Sequence, residues 1–141
     1  MITRCFSVFR SDRGATLPLV AILLPALVGF AGLAFDGGSI FVGKREALNV
    51  ATAAARAGAA DVTEASLYAG SPELAPTARD TARNFATGQG YLAGARIEGN
   101  DKVVANVSVS VDLVFGNFIG ITSVTVSESA TAQVQSFALD S

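Results

Sequence analysis

The chain contains 21 consecutive residues, Ala15 to Phe35, without one charged side chain. No other feature restricts the fold so strongly. At about 1.5 Å per helical residue the run reaches about 31 Å, the thickness of a bilayer's hydrocarbon core of roughly 30 Å. Eleven of the 21 residues are Leu, Ile, Val or Phe, which at roughly −0.3 to −0.6 kcal/mol each favour insertion by about 3 to 7 kcal/mol. A core helix of a water-soluble protein would carry a polar face, whereas the one non-apolar side chain in this run is Thr16. The run is therefore expected to be a transmembrane helix over residues 15–36. Pro18 falls near its first turn and Pro25 near its middle, where a bend is expected. A secretion signal is the competing reading, with release after Ala34 in Gly32-Leu33-Ala34, but a signal's apolar region is about 7 to 15 residues and this one is longer.

Charge sets the expected orientation. Arg4, Arg10 and Arg13 precede the span, against Lys44 and Arg45 after it, so the basic tail 1–14 is expected in the cytosol and residues 37–141 outside. The remainder of the chain is acidic, which excludes nucleic acid as a partner. The hydrophobic content of 50% is high, yet beyond residue 60 the apolar residues are spread in short alternating groups, as in a folded domain. The lone cysteine, Cys5, precedes the run, so the part beyond it can form no internal disulfide.

Past Asp36 the sequence turns Ala-rich. Ala47, Ala51, Ala55 and Ala59 recur every fourth position, a smooth helical face that lets another element approach closely. Asp36, Gly37 and Gly38 lie between span and Ala-rich helix and mark a membrane exit and hinge, with Asp36 hydrated at headgroup level. Ser71-Pro72-Glu73 reads as the start of a second helix that ends at Gly88, with Glu73, Arg79, Asp80 and Arg83 on a solvated face. Ala95 to Glu98 reads as a strand entering a hairpin at Gly99-Asn100-Asp101. Period-two alternation then gives one strand from Lys102 to Phe115 and another from Ser123 to Phe137, with Glu128 interrupting the apolar face of the latter. The expected fold class is α+β: a transmembrane helix continuing into an Ala-rich helix, a second helix, and a small antiparallel sheet with one face covered by the helices.

Catalytic chemistry has little to work with. The chain has no histidine and one cysteine, which excludes the usual zinc and copper sites. Gly88-Gln89-Gly90 is not a phosphate loop, because Ala93 stands where the third glycine belongs. No cofactor, metal, small-molecule substrate or catalytic residue is expected.

Three segments carry a resemblance: RGATLPLVAILLPALVGFAGLAFDGG, ALNVATAAARAGAAD and, the most specific, VFGNFIGITSVTVSESATAQV. Together they make the chain resemble the TadE/TadG-like, pilin-like proteins of the tight-adherence (Tad/Flp) pilus system. The resemblance implies a non-enzymatic, single-span protein of the bacterial cytoplasmic membrane that meets other pilus subunits or assembly proteins. Members handled as prepilins are cut after a glycine and carry a glutamate five residues on. Gly14 would be that glycine and Ala15 the first mature residue, but the fifth residue is Leu19. The absent carboxylate favours an uncleaved TadG-like membrane subunit over a minor pilin cleaved after Gly14.

Overall fold

The computed structural model describes residues 16–134. The processing position Gly14-Ala15, the basic tail and Cys5 lie outside the described residues, as do the last residues assigned above to the second long strand. The fold is α+β. Helix α1, Thr16–Ala59, is followed by a short helix α2, Glu64–Tyr68, and by α3, Ala78–Thr87. Three strands complete the order: β1, Leu92–Glu98, β2, Lys102–Asp112, and β3, Ser123–Gln133. They form an antiparallel meander β1-β2-β3.

Helix α1 runs uninterrupted for 44 residues, about 66 Å. Its first half stands clear of the domain: Leu17, Ile22, Phe30 and Leu33 are all exposed. The most apolar stretch has a mean hydropathy of 2.3 and is almost wholly unburied, unlike the core helix of a soluble protein. Pro25 lies inside the helix without ending it. The helix also continues through Asp36, Gly37 and Gly38, as expected of an apolar helix that runs on into the Ala-rich one. Ser39 Oγ donates to the Phe35 carbonyl at 3.2 Å across this stretch. On either side of the two glycines, Asp36 and Gly43 are held against the sheet's connecting loop and β2.

From Gly32 onward one stripe of α1 faces the domain. Gly32, Asp36, Gly43, Ala47, Ala51, Ala54, Ala55 and Gly58 are buried along it. Opposite lie Ala78, Ala82 and Ala86 of α3, one turn apart, and Val103, Ala105 and Val107 of β2. Small residues dominate this core, its largest fully buried side chains being Val103 and Val107. Backbones therefore approach closely. A Cβ on Gly58 would stand 2.7 Å from the Ala78 carbonyl oxygen and 3.0 Å from Val103, so α1, α3 and β2 meet at a point where only glycine fits.

The second helix begins later than the Ser71 cap suggests. The segment before it is taken by non-local bonds instead: Thr63 N donates to the Glu73 carbonyl, Leu74 N to that of Asn100, and Ala75 N to that of Asp61. Pro76 disfavours helical geometry at Ala75. Asp61 then receives the Thr77 and Thr81 hydroxyls at 2.9 and 2.7 Å, tying the start of α3 to the end of α1. The ion-bearing residues Glu73, Arg79, Asp80 and Arg83 are exposed, as their spacing suggests. α3 ends at Gly88.

In the sheet, the β1-β2 hairpin turns at Gly99, whose φ of 70° suits glycine. The pairing of β2 with β3 is continuous from Lys102↔Gln133 to Asp112↔Ser123. Glu128 therefore sits on an edge strand with no bulge, directly across from Val107.

Candidate functional site

The features that distinguish this domain gather where α1 passes from its exposed half to its packed half. β2 runs antiparallel to α1. Val103 lies at Gly58, Val111 presses on Gly43, and Phe115 reaches Gly32, so the sheet descends the helix towards the apolar run. Its leading point is the β2–β3 connection, Leu113 to Thr122, which contains a single turn of 3-10 helix, Gly116–Ile119, closed by Gly120 at a φ of 85°.

Asp36 joins the two. Its side chain is buried and accepts hydrogen bonds from three successive backbone amides: Val114 N at 3.0 Å, Phe115 N at 3.1 Å and Gly116 N at 2.7 Å. The sequence reading put this carboxylate in water at headgroup level. It is instead enclosed by the loop, because three aligned N–H groups replace the solvent that an isolated carboxylate requires. Nothing local foretold this, since the donors lie 78 to 80 residues away.

Below Asp36 the contact is apolar. Phe115 packs edge-on against Phe35 with ring centroids 6.4 Å apart, and a Cβ on Gly32 would come within 2.5 Å of its ring. Phe115 also lies 6.2 Å from Phe118. Beside this joint, Phe35, Gly38, Val42, Gly43, Val109 and Val111 line an open cleft of about 630 Å³. Higher on α1, Tyr91 donates its hydroxyl to Glu46 Oε1 at 2.5 Å, and this bond holds the phenol's pKa above its ordinary 10.0.

The residues singled out from sequence are distributed as follows. Ala47, Ala51 and Ala55 are fully buried, Ala51 and Ala55 in one cluster with Ala86 of α3 and Ala105 and Val107 of β2, and Ala59 packs partly buried near Ala78, Ala82 and Val103. A Cβ on Gly37 or Gly38 would meet nothing within 4 Å. The glycines that do make contact, Gly32, Gly43 and Gly58, went unread. Their signal was present, because they continue the Ala47-Ala51 spacing in both directions.

Among the described residues no group of three or more Asp, Glu or Cys is placed to hold a metal ion. What the site offers is mechanical: one carboxylate and one aromatic ring lock a long helix to a loop from the far end of the chain. No curated protein and no solved structure matches the chain. Residues 14–61, about a third of the chain, match the family model described as "Putative Flp pilus-assembly TadE/G-like". The match takes in the whole of α1, the first of the three segments that carry the resemblance from Gly14 on, and the whole of the second, and ends before the third. Over α1, the helix that bears both the apolar run and the domain-facing stripe, this chain is similar to that TadE/G-like pilus-assembly family.

Proposed function

We propose that the chain is a non-enzymatic, single-span membrane subunit of a Tad/Flp-type pilus assembly or secretion apparatus. Residues 15–36 are its anchor, residues 1–14 its cytosolic tail, and residues 37–141 its extracytoplasmic domain in the bacterial cytoplasmic membrane. The observation that carries this reading is the exposed apolar half of α1 within the segment that matches the pilus-assembly family. An apolar rod exposed on all sides has no stable place in water. The outer domain then meets other pilus subunits or assembly proteins, and the outer edges of β1 and β3, unpaired among the described residues, are surfaces suited to that contact.

Release after Ala34 fits this molecule poorly. It would cut α1 inside a continuous helix and remove Gly32, on which Phe115 rests. Cleavage after Gly14 leaves the whole of α1 intact, so the choice between resident subunit and minor pilin turns on Leu19, whose side chain offers no carboxylate to a neighbouring subunit.

The test is fractionation of cells producing the full chain. The protein is expected in the membrane pellet after an alkaline carbonate wash, with the outer domain cut by protease added to spheroplasts. Recovery of a shortened polypeptide in the wash would overturn the anchored reading. N-terminal sequencing of the membrane-extracted protein is expected to begin before Gly14, and Ala15 as first residue would make it a processed pilin.

A further inference from the structure

We propose that the β2–β3 loop, Leu113 to Thr122, is a second membrane contact of this protein, seating Phe118 and Ile119 in the boundary between acyl chains and headgroups of the leaflet beneath the domain. The inference rests on α1 being the membrane span.

Depth is the first observation. Phe115 packs on Gly32, which lies three residues inside the charge-free run that ends at Phe35, about 4.5 Å along the helix axis. A span that places the run in hydrocarbon therefore carries the loop to the same level. Composition is the second. From Leu113 to Thr122 the loop has no charged residue, and Val114, Phe118, Ile119 and Ile121 are exposed, Phe118 by 86% and Ile119 by 76%. Such a cluster in water would be a liability, but it matches the apolar face that interfacial segments bury into lipid.

Backbone accounting is the third. A segment at the edge of hydrocarbon has to satisfy its N–H groups internally. The amides of Val114, Phe115 and Gly116 donate to Asp36, Leu113 N donates to the Thr122 carbonyl, Phe118 N to Phe115, Gly120 N to Asn117, and Ile121 N to Gly116. The buried carboxylate thus has a role that a water-facing loop would not need, since it removes three polar groups from contact with lipid.

Lipid is the occupant assigned, rather than a second copy, because the loop is continuous with a helix half that is itself exposed apolar surface at the same depth. Tryptophan reports this directly, and the chain contains none. The full-length chain carrying Phe118→Trp is reconstituted in phosphatidylcholine vesicles with bromine on the acyl chains, either near the headgroup or near the chain end. A parallel Leu23→Trp variant marks the middle of the span. Phe118 is exposed enough that the exchange needs no repacking, and Ile119→Trp repeats the measurement should the first variant fold poorly.

Emission from Trp at 118 is expected to be blue-shifted and lost to bromines near the headgroup more than to deep ones, with the opposite order for Trp at 23. Quenching at 23 with water-like, acrylamide-sensitive emission at 118 would overturn this proposal and leave the span standing. Quenching at neither position would remove both. Emission at 118 shielded from bromine and acrylamide alike, and changing as the protein is diluted in lipid, would assign the loop to a second copy and overturn lipid as its partner.

Discussion

Asp36 accepts from Val114, Phe115 and Gly116 with both carboxylate oxygens, and that bonding is specific to a doubly accepting side chain. Asp36→Asn keeps the size but turns one acceptor into a donor aimed at other donors, and Asp36→Ala leaves all three amides without a partner. Both variants are expected to melt at lower temperature than the parent in detergent, and an unchanged melting temperature in both would refute a holding role for the carboxylate. The Tyr91–Glu46 pair makes a pH-dependent claim of the same grain. The hydrogen bond to Glu46, then burial and the nearby negative charge, raise the phenol's pKa above 10.0. Since the folded value lies above the unfolded one, the pair's stabilisation is complete below the ordinary phenol range and disappears as pH rises through the raised pKa. In a Tyr68→Phe background, which leaves Tyr91 as the remaining tyrosine, phenolate absorbance is expected to develop above pH 10.0, and Glu46→Gln to bring it back down.

Among whole elements, α1 shows how position along one helix decides the sign of a substitution. At Gly58 an added methyl group would press on the Ala78 carbonyl, Ala82 and Val103, so Gly58→Ala is expected to destabilise by about 1–3 kcal/mol despite the better helix propensity of alanine. At Gly37, with no neighbour within 4 Å, the propensity gain is unopposed and Gly37→Ala is expected to stabilise by about 0.5–1 kcal/mol. Thermal unfolding of the two variants in one detergent compares them directly, and equal effects would contradict the packing described for Gly58. The same elements show what a sequence displays and what it hides. The alternation read from Lys102 to Phe115 and from Ser123 onward was visible because strand pattern and burial have the same period and one face of the sheet meets the helices, but β2 ends at Asp112, since Val114 and Phe115 leave the ladder to bond Asp36. The Ala stripe of α1 was readable for the analogous reason. The start of α3 was not, since the cap at Ser71 is a local signal and the bonds to Asp61 and Asn100 that displaced it are not. Asp36 was misjudged on the same ground, its donors being a whole domain away in sequence.

For the molecule as a whole, the apolar run and the folded domain share a joint, and a cut between residues 36 and 37 would fall on the wrong side of it. Gly32 and Phe35 belong by sequence to the apolar run, Asp36 is the first residue after it, and all three belong by contact to the β2–β3 loop. Two soluble fragments separate these descriptions, one beginning at residue 30 and one at residue 37, both ending at residue 141. If the folded domain were independent of the apolar run, the two would unfold alike. The shared joint requires otherwise: the shorter fragment loses the only acceptor found for the amides of Val114, Phe115 and Gly116 among the described residues, together with the ring and glycine against which Phe115 packs. Those amides are expected to exchange hydrogen with solvent much faster in the shorter fragment, while amides of β2 near Val103, at the end away from the loop, and Val107, at mid-strand, keep most of their protection. Equal protection of the loop amides in both fragments would mean that the loop holds its shape unaided, and that a displacement of the apolar half of α1 is not passed to the sheet through Asp36.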